Sequence, residues 1–148
     1  MTDQARDLES LLRLTLDGQV AFDDYSRHLF SRDASMYAIR PLGVAFPRHS
    51  DDVAAAVSAC ATLGVPVVPR GAGTSLAGQT VGPGLVLDMS RHLDRIHEID
   101  PEARTALVDV GERGRWCRDL HECDWGAGLQ RDRSGHGFTE TPEWSERV

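Results

Sequence analysis

A short apolar segment runs directly into a loop of small residues, and this junction constrains the fold more than any other part of the chain. Residues 66–78 read PVVPRGAGTSLAG. The β-branched residues before Arg70 favour an extended strand, whereas the glycines after it favour a turn that other residues avoid. Arg70 is the one charged residue between Gly64 and Leu87. The sequence therefore predicts a strand that ends in a loop with little side-chain cover.

The residues before this loop predict a strand–helix–strand unit. LGVAFP at 42–47 is typical of a short buried strand, and residues 65–69 form a second, β-branched one. Between them we expect a helix that begins with Ser50 as its N-cap and stops at Gly64. Parallel strands joined by a helix are the usual form of such a unit.

The remaining elements predict an α+β fold. Residues 5–17 carry leucines at helical spacing. GLVLDM at 84–89 predicts a third strand, and residues 93–99 and 104–110 predict an antiparallel hairpin around a turn that contains a proline. Residues 22–41 show no clear pattern. We expect a small parallel start followed by antiparallel strands.

The composition excludes several classes of function. The chain has 148 residues and a formal net charge of −7, which disfavours a nucleic-acid partner. Three cysteines are too few, and odd in number, for a secreted disulfide framework. The N-terminus lacks a signal-peptide pattern, and no apolar stretch reaches membrane-spanning length. We therefore expect a cytoplasmic protein without direct membrane insertion.

The loop has the composition of an anion-binding nest. Its glycines allow backbone N–H groups to turn toward one point, and Thr74 and Ser75 add hydroxyl groups. A Walker loop needs a lysine, which the chain lacks, and the dinucleotide pattern GxGxxG needs glycine where Leu76 stands. The nucleophile pattern GxSxG is also absent. These residues leave two interpretations open: a phosphate or pyrophosphate site, and a loop without a ligand.

The loop and its flanks resemble one known family. The stretch VAFPRHSDDVAAAVSACATLGVPVVPRGAGTSLAGQ resembles the PCMH-type FAD-binding domain of the vanillyl-alcohol oxidase and p-cresol methylhydroxylase superfamily. Its form is most similar to FAD-linked oxidases of the glycolate oxidase and D-lactate dehydrogenase type. SRDASMY at 31–37 and LVLDMSRHLDRIHEID at 85–100 resemble the segments that flank it in those proteins. The resemblance covers residues 23–110.

The resemblance implies that the loop binds the pyrophosphate of FAD, mainly through main-chain N–H groups. The residues implied to bind the cofactor are Arg70, Gly71, Ala72, Gly73, Thr74, Ser75 and Gly78. Thr74 stands where some relatives have a histidine bonded covalently to the flavin, so the FAD is expected to be non-covalent. In the family, flavin N5 accepts a hydride from the carbon that bears the substrate hydroxyl, and the cofactor supplies the hard chemistry.

The chain divides into an N-terminal helix within 1–22, a partial FAD-binding domain at 23–111 and an atypical tail at 112–148. The tail has no Ile or Met, its one Val is the last residue, and it holds all three Trp. It is either genuine sequence of a short homologue, and a candidate for disorder, or a segment read out of frame. We favour the second, because shifted codons of a GC-rich gene enrich Arg, Gly, Trp and Cys.

Other chemistry-bearing residues are better explained by structure than by function. In the tail, Cys117, His121 and Cys123 have an unusual spacing for zinc, so we assign no metal site. In the preceding domain, we expect Cys60 to pack in the core. Asp51 and Asp52 are expected to be charges at a helix terminus. His97 and Glu98 are expected to face solvent. We assign no catalytic residue.

The sequence thus predicts an FAD-binding fragment of an FAD-linked oxidoreductase that oxidises a 2-hydroxy acid or similar alcohol by hydride transfer to flavin. A small hydroxy-acid substrate is expected only if the missing family regions complete the protein. Two alternatives stay open. One is half of a split flavoenzyme, and the other is a non-catalytic nucleotide-binding module.

The interpretation of the tail makes a prediction about the gene. We expect the DNA beyond codon 111, read in another frame, to encode the family segments that follow the matched region. Sequencing the gene and translating all frames is the measurement. A gene in which no frame encodes them would contradict the out-of-frame interpretation.

Overall fold

The structure is a computed structural model that describes residues 3–100, 102, 103 and 105–111, together with the backbone of two short strands nearer the C-terminus. The helices are α1 (Asp3–Thr15), α2 (Asp24–Leu29) and α3 (Ser50–Leu63). The strands are β1 (Gln19–Ala21), β2 (Gly43–Phe46), β3 (Val67–Arg70), β4 (Leu85–Asp88), β5 (Ile96–Asp100), β6 (Thr105–Val108), β7 (Leu129–Arg131) and β8 (Gly137–Thr139).

The first sheet has the strand order β1-β2-β4-β3. Strands β2 and β3 both run parallel to β4, and Val86 of β4 lies in register with Val44 on one side and Val68 on the other. The predicted strand–helix–strand unit is therefore confirmed as parallel, but β4 lies between its two strands. Strand β1 adds an antiparallel edge to β2. The sequence did not predict β1 or α2.

The two central strands are buried on both faces, which explains their continuous apolar sequences. On one face, α1 and α3 cover the sheet, and Leu8, Leu12 and Cys60 pack with Leu85 and Leu87. The opposite face carries a smaller cluster of buried side chains, which are Val44, Phe46, Val68 and Val86, with Phe30 packed against it. The predicted packing role of Cys60 is confirmed, and burial raises the pKa of its thiol.

Helix α3 begins differently from the prediction and ends at Gly64 as expected. The N-cap is His49, whose Nδ1 accepts the N–H of Asp52 at 3.3 Å, and Ser50 is the first helical residue. Sequence rules favour serine as a cap because its oxygen reaches the free N–H groups, but an imidazole nitrogen accepts the same bond. The prediction of Ser50 as N-cap is wrong.

Asp52 joins three parts of the chain. Its side chain is 2% exposed, and its two oxygens accept the N–H groups of Asp17 at 2.9 Å and Arg48 at 2.8 Å. The carboxylate thus holds the segment after α1 and the segment after β2 against the start of α3. Asp51 and Asp52 lie in the first turn of the helix, as the sequence predicted.

The second sheet has the order β5-β6-β7-β8. The predicted hairpin is confirmed as the antiparallel pair β5 and β6, with a register irregularity at His97. Strands β7 and β8 lie in the tail; β7 pairs in parallel with β6, and β8 pairs antiparallel with β7. Among the described residues, no helix is long and apolar enough to cross a bilayer.

The buried carboxylate makes a prediction about stability. Asp52→Ala leaves two backbone N–H groups without their acceptor, so we expect the free energy of unfolding to fall by about 3 kcal/mol. Asp51→Ala is the matched control, because this neighbour is exposed in the same helical turn; it should lose less than about 1 kcal/mol. Urea denaturation followed by circular dichroism measures both, and equal losses would contradict the role of Asp52.

Candidate functional site

The glycine loop, residues 71–80, starts where β3 ends. The N–H of Met89, just after β4, donates to the carbonyl of Arg70 at 2.8 Å, which holds the two strand ends together. In open sheets with parallel strands, ligands bind beyond the carboxyl ends of the strands. The loop therefore lies at the edge of the sheet where a ligand is expected.

The side chain of Arg70 folds under this loop. Its guanidinium lies over the ring of Phe30, 5.2 Å from the centroid, and donates to the carbonyl of Thr80 at 3.3 Å. Phe30 in turn packs edge-on against Phe46 of β2. Within the described part of the chain, no carboxylate forms an ion pair with Arg70. The loop thus covers a half-buried positive charge.

Two glycines are required by this packing. Gly73 has φ of 70°, and a Cβ there would lie 2.4 Å from Nη2 of Arg70. Gly78 has φ of 79°, and a Cβ there would lie 2.7 Å from the ring of Tyr37. A side chain at either position would combine a disfavoured backbone conformation with a steric clash. The glycines allow the loop to lie directly on Arg70 and Tyr37.

The backbone N–H groups in the first part of the glycine loop remain available as far as the described residues are concerned. Among the described residues, none accepts a hydrogen bond from the N–H groups of residues 71–76. The hydroxyl of Ser75, in contrast, is engaged inside the loop. It bonds the side chain of Gln79 and accepts the N–H groups of Ala77 and Gln79 at 3.3 and 3.1 Å. Ser75 therefore offers a ligand its N–H, whereas Thr74 is exposed and its hydroxyl bonds none of the described residues.

A second segment supports the loop from its side. The N–H of Ala34 donates to the carbonyl of Gly73 at 3.1 Å. The hydroxyl of Thr80 donates to Oδ2 of Asp33 at 3.0 Å. The hydroxyl of Ser35 also bonds Asp33, and this bond is the main reason that the pKa of Asp33 lies below its ordinary value. Asp33 is thus ionised at neutral pH.

Sequence reasoning missed these supporting residues. Thr80 lies 50 positions after Phe30 and 47 after Asp33 in the chain, so no local pattern connects it to them. The available signal was the resemblance of SRDASMY at 31–37 to a family segment, which indicated a shared element but gave no contacts.

A groove of about 980 Å³ lies beside the aromatic pair. Phe30 and Phe46 form part of its wall, and the guanidinium of Arg91 lies 4.8 Å from the centroid of the Phe46 ring. No residue of the glycine loop lines it. The groove and the loop are therefore separate features that share Phe30 as a common wall.

The other residues singled out in the sequence are placed as follows. His97 is exposed, as predicted, and its Nε2 lies 2.7 Å from Oδ1 of Asp109 rather than near Glu98. Within the described residues, no cluster of potential ligands could hold a metal ion. Cys117, His121 and Cys123 lie outside the described residues.

A parallel sheet edge with a glycine-rich loop packed on a half-buried cation is suited to a phosphate-bearing ligand. Residues 41–117 match the family described as FAD binding domain, which is just over half of the chain. The protein belongs to this family, and the resemblance found in the sequence is confirmed. The loop fits such a cofactor, because the N–H groups of residues 71–76 donate to no described residue and its glycines let it lie directly on Arg70 and Tyr37. FAD is accordingly the cofactor of the domain.

Individual relatives agree with this assignment. The chain is 37% identical over 107 residues to D-2-hydroxyglutarate dehydrogenase of Pantoea ananatis, covering 70% of this chain and 10% of the relative. It is 39% identical over 103 residues to glycolate oxidase subunit GlcD of Bacillus subtilis, covering 66% and 22%. The chain therefore spans between a tenth and about a fifth of these relatives.

The fold also matches solved structures of flavoenzymes. The structure of p-cresol methylhydroxylase with substrate bound superposes with a TM-score of 0.67 at 18% identity, covering 86% of this chain and 26% of that one. The predicted fold class, an incomplete PCMH-type FAD-binding domain of α+β type, is confirmed. The parallel sheet and the hairpin after it are the parts that this chain supplies.

Proposed function

We propose that the glycine loop binds the pyrophosphate of FAD in an FAD-linked oxidoreductase. The observation that carries this proposal is that the N–H groups of residues 71–76 donate to no described residue, in a loop that packs on the guanidinium of Arg70. The binding residues are those named from the sequence: Arg70, Gly71, Ala72, Gly73, Thr74, Ser75 and Gly78. Arg70 acts through its charge and its contact beneath the loop, and the others act through their backbone.

The energetics favour an anion at this position. Each hydrogen bond from an N–H group to a charged phosphate oxygen contributes about 1.5–3 kcal/mol, so a few such bonds hold a diphosphate. The charge of Arg70 adds to this because no carboxylate among the described residues neutralises it. A pyrophosphate carries negative charge to pair with Arg70 and several oxygen atoms to accept hydrogen bonds from the N–H groups of the loop.

The reaction belongs to the whole protein rather than to the loop. The relatives named above are, by their names, a hydroxyglutarate dehydrogenase and a glycolate oxidase subunit, and both compounds are 2-hydroxy acids. We propose the same class of substrate for the protein to which this chain belongs. Bound FAD supplies the acceptor for the hydride, and this chain's residues hold the cofactor without acting on the substrate.

We further propose that the FAD is held without a covalent bond. Thr74 occupies the position that the family resemblance connects with covalent attachment, and a threonine hydroxyl is a weak nucleophile at neutral pH. The hold on the cofactor then depends on the hydrogen bonds of the loop.

Replacing Gly73 tests the loop. In Gly73→Ala the new Cβ meets the guanidinium of Arg70, so we expect the N–H groups to move apart and the dissociation constants for FAD and ADP to rise at least about tenfold. Isothermal titration calorimetry measures both ligands on the 148-residue chain.

Gly64→Ala is the matched control for that variant. Gly64 has φ of 64° but open space around its missing Cβ, so it has the same backbone strain without a clash. Both variants should lose stability, and the loss of affinity should be confined to Gly73→Ala. Equal affinity of the two variants for ADP would contradict the proposed site.

Covalency is tested by acid precipitation. We expect all yellow flavin to stay in the supernatant when the FAD-loaded protein is precipitated, because no covalent bond retains it. Absorbance near the flavin band in the two fractions is the measurement. Flavin that remains with the washed pellet would contradict a non-covalent cofactor.

A further inference from the structure

We propose that Asp33 is a positioning residue for the glycine loop, acting through the hydroxyl of Thr80. The inference rests on the proposed function, because it assigns a role in cofactor affinity to a residue that does not contact the cofactor itself. It also predicts that removing Asp33 weakens the binding of ADP, whereas electrostatic repulsion alone predicts tighter binding.

The first step is the geometry at Thr80, the last residue of the loop. Its carbonyl accepts a hydrogen bond from Arg70 at 3.3 Å, and its hydroxyl donates to Oδ2 of Asp33 at 3.0 Å. Arg70 is also the residue where the loop begins. The two ends of the loop are thus joined through Arg70, and the closing end is fixed to Asp33.

The second step is the fixed position of Asp33 itself. Its Oδ1 accepts both the N–H and the hydroxyl of Ser35, so the carboxylate is held in one orientation by its own turn. The adjacent residue, Ala34, donates its N–H to the carbonyl of Gly73 at 3.1 Å. The same short segment therefore bonds the middle and the end of the loop.

The third step is that the glycine loop forms few other hydrogen bonds with the described residues. Inside the loop, Ser75 joins Ala77 and Gln79, which orders only its second half. The N–H groups of residues 71–76 form no bonds with the described residues, so their directions depend on contacts made by the neighbouring atoms. Among the described residues, the hydrogen bonds to Ala34 and Asp33 are the ones that connect residues 71–80 to a distant part of the chain.

The charge of Asp33 separates positioning from electrostatics. An anion near a bound diphosphate repels it, so electrostatics alone predicts that removing Asp33 tightens binding of ADP. Positioning predicts that removal weakens binding, because the N–H groups are no longer held in place. The sign of the change therefore decides between the two roles.

The test uses ADP as the probe and calorimetry on the 148-residue chain. We expect Thr80→Val and Asp33→Ala each to weaken ADP binding about tenfold, which is typical of losing one charge-assisted hydrogen bond. The double variant should be no weaker than either single variant, because both remove the same bond. Thr80→Ser keeps the hydroxyl and should restore the affinity.

Asp23→Ala is the matched control. Asp23 accepts the N–H and the hydroxyl of Ser26 at 2.9 and 2.7 Å, the same pattern as at Asp33, but it caps α2 and has no bond to the loop. The affinity of the Asp23→Ala variant for ADP should stay within about twofold of the affinity of the unmodified chain. Unchanged or tighter binding by Asp33→Ala, or additive losses in the double variant, would overturn the proposal.

A second readout separates this proposal from the proposed function. If the unmodified chain does not bind ADP or FAD, the proposed function fails, and the amide hydrogen exchange of Ala34 then tests positioning alone. Faster exchange of this amide in Thr80→Val but not in Thr80→Ser or Asp23→Ala supports it, because Ala34 bonds the loop. Equal exchange in Thr80→Val and Thr80→Ser would overturn it, and this comparison needs no variant of Asp33.

Discussion

The site depends on one interaction, the placement of the Arg70 guanidinium beneath the glycine loop. A half-buried cation without a carboxylate partner among the described residues is costly in isolation, and here the ring of Phe30 and the carbonyl of Thr80 are the groups that accompany it. The same placement explains Gly73, since a Cβ there would collide with the guanidinium. The position of the charge and the conformation of the loop at Gly73 thus depend on the same contact.

The rest of the fold holds this contact in place. Strand β4 lies between β2 and β3 and brings the ends of all three to one edge, while α1 and α3 bury the opposite face of the sheet from Phe30. Asp52 fixes the helix start against two neighbouring segments. The glycine loop therefore begins at the edge of a sheet whose strands are packed against helices. This packing keeps the loop in a defined shape although it has few hydrogen bonds of its own.

Local patterns predicted the elements but not their arrangement. Residues 42–69 carried two short apolar runs separated by a helix pattern that stops at Gly64, and they form β2, α3 and β3. Strand β1 has three residues and α2 has none that is buried, so neither offers a periodic signal. The insertion of β4 and the bonds from Asp33 and Ala34 join distant positions, which no window of sequence contains. The proposed cofactor-binding residues followed from the resemblance, whereas the residues that support them are seen only in the folded structure.

The most direct measurement of the central claim is the backbone chemical shift of each loop residue during titration of the ¹⁵N-labelled chain with ADP. If the N–H groups of residues 71–76 bind the diphosphate, their proton resonances should move downfield along one saturation curve, with larger shifts than all other amides. Saturable binding of ADP with shifts confined to residues elsewhere, such as those around the groove at Phe46 and Arg91, would contradict the account.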